Sequence, residues 1–145
     1  MQWLQPIRVV HWHDAVENLR LVRTVVFILE QHVPEVMEWD EFDAISLHAL
    51  ACDDDKQPIG TARLLPNGHI GRMAVLKQWR NRGIGSAMLQ ELLKESVKRG
   101  STQAMLSAQA KAVGFYEKFG FKTNGEVFME AGIPHVEMIL TLNQN

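Results

Sequence analysis

The run Arg80-Asn81-Arg82-Gly83-Ile84-Gly85-Ser86 constrains this chain more than any other stretch. The apolar residues Met73, Ala74, Val75 and Leu76 come just before it, and an amphipathic stretch follows. A strand, a glycine turn flanked by arginines and then a helix form a device for holding a diphosphate. Glycine carries no side chain, so phosphate oxygens reach the backbone N–H groups. The first N–H groups of a helix lack internal partners and point at the anion. The helix dipole adds roughly 0.3–1 kcal/mol for a nearby negative charge. Arg80 and Arg82 offer charge-assisted hydrogen bonds. Two other nucleotide loops fail on spacing. A P-loop requires a lysine after its last glycine, and none follows Gly85. A Rossmann turn requires a third small residue where Met88 stands.

The chain has 145 residues, 46% hydrophobic and 22% charged, which predicts one domain over 1–145 with a real core. Its net charge of −2 gives no basic stripe for nucleic acid. No apolar run approaches the ~20 residues of a membrane span. The first residues lack the basic-then-apolar plan of a signal peptide. The lone Cys52 excludes an intramolecular disulfide and a cysteine-rich zinc site. The expectation is a cytoplasmic protein with no nucleic-acid or membrane partner.

Apolar spacing predicts the elements. Residues 7–10 read as a strand. Asp14 reads as a helix N-cap with Glu17 completing a capping box, and Val16, Leu19, Val22, Val26 and Leu29 predict a helix over 15–29. Residues 34–42 read as a short helix or ordered loop. Strands follow at 46–51, 59–65 and 70–76, joined by the polar turn at Asp53-Asp54-Asp55-Lys56 and the hairpin signal Asn67-Gly68, as an antiparallel meander. A helix over 83–99 carries the stripe Ile84, Met88, Leu89, Leu92, Leu93 and Val97, and Gly100 suits the left-handed position after it. A strand at 104–107 closes a right-handed crossover. A short helix at 110–118 and strands at 121–128 and 136–142, joined through Gly132-Ile133-Pro134, complete the chain, leaving the last three residues free.

A second motif lies about thirty residues after the glycine turn: Gln109-x-x-Ala112-x-x-Phe115-Tyr116-Glu117-Lys118-Phe119-Gly120-Phe121. Together the two motifs resemble the GNAT superfamily of acetyl-CoA-dependent N-acetyltransferases over nearly the whole chain. The run from Val26 to Pro34, the pair Ala108-Gln109 and Gly132-Ile133-Pro134-His135-Val136-x-Met138 resemble its small ElaA-like branch. The resemblance implies an α/β (α+β) fold: a mixed, mostly antiparallel sheet of 6–7 strands with a splayed centre and about four helices.

It also implies roles. Backbone amides of Arg82, Gly83, Ile84, Gly85, Ser86 and Ala87 cradle the pyrophosphate of coenzyme A, with Arg80 near the phosphates. Met73, Ala74 and Val75 pair with the pantetheine arm, and an N–H near Val75 polarises the thioester carbonyl. Gln109 stands where the family often has asparagine, at the pantetheine end, and Ala112 and Phe115 lie along the cofactor with it. Tyr116 stands where many members place the general acid for the leaving thiolate. It is the only tyrosine in the chain. A phenol is protonated at neutral pH and can donate such a proton.

The implied activity is transfer of an acetyl group from acetyl-CoA to a primary amine by direct attack, with no metal. The acceptor is a small-molecule amine, cationic if the acidic stretch draws it in, or a protein amine. A non-catalytic acyl-CoA-binding module and a protein lysine or N-terminal acetyltransferase are the alternative readings, as a monomer or homodimer. Candidate bases are Glu30, Glu41, His32, His48 and His135, with His135 and Glu30 foremost. The acidic stretch from Glu30 to Asp43 reads either as an electrostatic lure for a cationic amine or as a solvated loop that Arg20 and Arg23 partner. His11 and His13 lack a third partner for a metal.

Overall fold

In the computed structural model, residues 6–142 are described. One sheet carries the fold, with eight strands in the order β1-β2-β3-β4-β5-β8-β6 and β7 paired beside β6 on β8. The strands are β1 (Arg8–His11), β2 (Leu47–Cys52), β3 (Pro58–Leu64), β4 (His69–Val75), β5 (Gln103–Gln109), β6 (Lys122–Thr123), β7 (Phe128–Glu130) and β8 (Ile133–Thr141). Every pairing is antiparallel except β4 with β5.

The sheet has a helix layer on each face, and the sequence pattern shows why. Every residue of β3 is buried, as a strand covered on both sides requires. Helix α3 (Ile84–Lys98) lays Ile84, Met88, Leu89 and Leu92 against Ala62, Leu64, Ala104 and Leu106 in the main core. Gly60 permits this approach: a Cβ there would meet Ile84 Cγ2 at 3.1 Å and Met88 Cε at 3.2 Å. On the opposite face, helix α1 (Trp12–Arg23) runs directly into a π-helix (Thr24–Glu30), and Val22, Val26 and Phe27 pack on Ala74. The Gln31 N–H bonds the Val26 carbonyl five residues back, at 3.1 Å. Two short helices, α2 (Glu35–Glu38) and α4 (Val113–Glu117), complete the set.

Three expectations are corrected. The first helix begins at Trp12 rather than residue 15, because β1 feeds it without a loop; Ala15 is non-helical inside it, and no side-chain cap bond closes its start at Asp14 or elsewhere. Its C-terminal half is a π-helix rather than a continuous α-helix. The strand expected over 121–128 is broken between β6 and β7, where Gly125 takes φ +101° after Asn124. That break raises the strand count above the expected 6–7. The β7–β8 turn has positive φ at both Ala131 (51°) and Gly132 (75°), a tight hairpin geometry. The expectations on the first residues of the chain and on the last three residues lie outside the described residues. No helix is long and apolar enough to cross a membrane among the described residues.

The centre of the sheet opens. β4 and β5 pair only at His69↔Met105 and Ile70↔Leu106. From Gly71 and Ser107 onward the two strands part, so each presents an unpaired backbone edge to a wedge-shaped gap. β4 also bulges: its register with β3 shifts between Thr61 and Arg63, and Arg72 takes φ +48°.

Candidate active site

The glycine turn sits at the wide end of this gap. Asn81 and Gly83 both adopt left-handed φ, 64° and 84°. Successive N–H groups in such a turn form a concave anion site. The Gly83 carbonyl accepts the Ala87 N–H at 3.0 Å, so the N–H groups just before Ala87 have no partner inside the helix. A Cβ built on Gly83 meets nothing within 4 Å, which leaves open space above the amides. A Cβ built on Gly85 would meet Phe115 Cζ at 3.5 Å, so the turn is packed against α4. Free amides, open space and two unpaired strand edges fit a diphosphate carrying an extended amide-containing arm.

The two arginines of the turn differ. Arg82 stacks over Trp79 at 4.8 Å. Arg80 donates from Nε to the Val75 carbonyl at 2.8 Å and grips Glu30 with both Nη atoms, at 2.8 and 2.7 Å. The Arg80 hydrogen bond holds the Glu30 carboxyl below its usual range. Glu30 is therefore committed to an ion pair at the mouth.

Between the turn and the paired end of β4 and β5 lies a cleft of about 470 Å³, lined in part by Met73, Ser107, Gln109, Ala112, Tyr116 and His135. Gln109 donates its side-chain amide to Gln31 Oε1 at 2.9 Å, tying β5 to the end of the π-helix. The Tyr116 hydroxyl lies 3.8 Å from Met73 Sδ, and its ring meets Phe115 and Phe121 edge-on. Burial pushes its pKa up to about 12. His135, on β8, is another polar group of the wall. Its Nδ1 is 2.7 Å from the Ile133 carbonyl, its ring stacks on Phe128, and Nε2 stands 3.6 Å from Glu130 Oε2. A carbonyl can only accept, so Nδ1 carries the hydrogen and Nε2 of the neutral ring keeps its lone pair.

The remaining candidates lie elsewhere. His48 is fully buried against the Asp43 carbonyl, and burial pulls its pKa down. His32 and Glu41 are exposed. The acidic stretch is largely paired. Arg23 Nε and Nη1 hold Glu38 and Asp43 at 2.8 and 2.7 Å, Arg63 holds Asp40 and Asp43 at 2.7 and 2.9 Å, and Arg72 reaches Glu38 and Asp40 at 3.2 and 3.3 Å. Three carboxylates thus meet three arginines, which brace the α2 segment against the β4 bulge. Sequence reasoning passed over Glu137 and the two residues that hydrogen-bond it beside the cleft, His69 and Ser107. The available signal was the charged Glu137 between the apolar strand positions Val136 and Met138.

One consequence concerns the turn. Gly83→Asp places a carboxylate over the free amides, and coenzyme A affinity falls at least about tenfold in calorimetry. Gly83→Ala suffers the same unfavourable φ, worth about 1–2 kcal/mol of stability, without the charge. Equal affinities for the two variants would reject the phosphate role of the turn.

Comparison with known proteins agrees with this geometry. The Acetyltransferase (GNAT) domain family matches residues 15–142. Protein YyaT of Bacillus subtilis is 39% identical over 142 residues, covering 92% of this chain and 90% of YyaT. ElaA of Escherichia coli is 30% identical over 125 residues, covering 81% of each chain, and its crystal structure superposes with a TM-score of 0.81. The crystal structure of an acyl-CoA N-acyltransferase from Pseudomonas aeruginosa is 30% identical, with a TM-score of 0.81 over 93% of this chain and 99% of that one. The splayed sheet, the glycine turn and these likenesses agree: the chain belongs to the GNAT acetyltransferases, close to the ElaA-like branch, and is an acyl-CoA-dependent N-acetyltransferase.

Proposed function

We propose that the protein moves an acetyl group from acetyl-CoA to a primary amine by direct attack, with His135 as general base and Tyr116 as general acid. The amides of Arg82 to Ser86 hold the diphosphate; that of Ala87, expected among them, is taken by the Gly83 carbonyl. The open edge of β4 at Met73, Ala74 and Val75 aligns the pantetheine arm as an added strand. Acetyl-CoA supplies the activated thioester. His135 Nε2 takes the proton that the amine sheds as its nitrogen bonds to the carbonyl carbon. A β4 N–H near Val75 receives the charge that develops on the carbonyl oxygen. Tyr116 gives its hydroxyl proton to the sulfur as the carbon–sulfur bond breaks, and solvent then restores the phenol.

The observation that carries the choice of base is the Nδ1–Ile133 bond, which leaves the lone pair of the neutral ring on Nε2 of a residue that lines the cleft. Glu130 Oε2 lies 3.6 Å from that nitrogen. Glu30 is a poorer base, because Arg80 stabilises its ionised form. Its ion pair suits it instead to fixing Arg80 at the mouth.

Thermal unfolding with acetyl-CoA tests the cofactor. A ligand at 100 times its dissociation constant adds roughly 2.7 kcal/mol, a rise of about 5–10 °C for a chain of this size. NAD and ATP should give no rise. A rise with these nucleotides but none with acetyl-CoA would overturn the proposal.

A further inference from the structure

We propose that Glu137 anchors a second positive charge on the acceptor, so that the preferred substrate is a linear diamine rather than a monoamine. The inference rests on the amine-transfer reading above and adds the acceptor's chemistry to it.

The carboxylates near the cleft are of two kinds. Glu38, Asp40 and Asp43 are held by Arg23, Arg63 and Arg72 and offer little to a ligand. Glu137 has no arginine or lysine partner among the described residues. Its Oε1 is bonded to His69 Nε2 and its Oε2 accepts the Ser107 hydroxyl, each at 3.0 Å. The carboxylate is thus fixed by one side chain from β4 and one from β5, while 29% of the Glu137 side chain stays exposed. A carboxylate offers about four acceptor sites, so two remain for a ligand. An N–H donor at His69 Nε2 serves Glu137 whether or not that ring is charged. Both of its partners line the cleft.

The register places this carboxylate relative to the reacting centre. Ser107↔Glu137 is the rung where β4 and β5 first separate, and Gln109↔His135 is two residues along on the same face. Two strand residues span about 7 Å. A nitrogen delivered to His135 therefore has a second site about 7 Å away along the same floor. Glu130 beside His135 is likewise without a lysine or arginine, so the cleft around both sites is negative once the arginine pairs are counted. A group carrying its own carboxylate would be repelled there, and a plain alkyl tail would strip water from Glu137 with nothing in return. A linear diamine such as 1,5-diaminopentane, with its nitrogens about that far apart when extended, meets both requirements.

The test compares kcat/KM for 1,5-diaminopentane and n-pentylamine in the native protein and in Glu137→Gln. Calorimetric titration of the diamine into the protein–coenzyme A complex runs beside it. The native protein should favour the diamine at least about tenfold, the strength of a charge-assisted hydrogen bond. In Glu137→Gln that ratio should fall toward one and the diamine's binding heat should weaken, while the thermal shift with acetyl-CoA persists as the check on folding. If that variant does not fold, Ser107→Ala releases Oε2 and must also lower the ratio. A native ratio near one, or a ratio that either folded variant leaves unchanged, overturns the proposal. Glu137-dependent binding of the diamine without acetyl transfer would support the subsite and reject the transfer reading. Absence of both would reject the subsite.

Discussion

Arg23→Ala should lower the stability of the fold by about 3–5 kcal/mol, the usual cost of removing one partner of a buried ion pair. Arg23 has no exposed surface. Its guanidinium bonds Glu38 Oε2, the Glu38 carbonyl and Asp43, and lies 4.9 Å from the centre of the Trp39 ring. Alanine would leave two carboxylates in the interior with fewer donors. Burial already pushes the Glu38 carboxyl up, with the arginines opposing it. Protonation of Glu38 would then be the easiest relief, so the variant should be more unstable at neutral than at mildly acidic pH. Urea unfolding at both values measures the loss. A change below about 1 kcal/mol would mean that Arg63 and Arg72 alone satisfy the carboxylates.

Tyr116→Phe should lower kcat by about 10²–10⁴-fold, the range for a positioned proton donor. Affinity for acetyl-CoA should change little, because the hydroxyl's only close polar contact among the described residues is a weak one to the Met73 sulfur. The pH profile adds a sign. With the Tyr116 pKa pushed up to about 12, the phenol keeps its proton across the neutral range and loses it only at strongly alkaline pH. A fall in kcat between neutrality and pH 10 therefore belongs to another group, and Tyr116→Phe should leave that fall in place. Steady-state rates over this range, with direct thiol detection, decide it. Undiminished kcat would return Tyr116 to a packing role beside Phe115 and Phe121.

The parts of this molecule that were legible beforehand depend on neighbours in the chain. Gly83 and its helix announce themselves because a left-handed residue and the free amides after it are local features. So do Asn67-Gly68, the meander it joins, and the apolar stripe of α3. The unreadable parts are bonds between distant positions. Arg23 was readable as a partner of the acidic stretch, and it holds Glu38 and Asp43, but nothing near Arg63 or Arg72 says that they close on the same carboxylates. The His69–Glu137 bond joins residues 68 apart. His135 was legible as a candidate, yet the atom that can accept a proton depends on the Ile133 carbonyl, which a hairpin with two left-handed residues turns toward it. The break after β6 falls at Asn124-Gly125, a turn pair that the strand expected over 121–128 ran straight through.

The π-helix at the end of α1 sets the phase of everything beyond it. An α-helix turns by about 100° per residue, so a wider turn shifts the following side chains by a large fraction of that angle. Phe27 reaches the cleft, Glu30 reaches Arg80 and Gln31 reaches Gln109 in this altered phase. A chain one residue shorter between Thr24 and Glu30 would recover ordinary helical bonding and rotate these three contacts out of alignment. The wall of the cleft is thus encoded partly by a count of residues and not only by their identities. Helix regularity in this segment and a correctly aimed cleft are therefore competing outcomes.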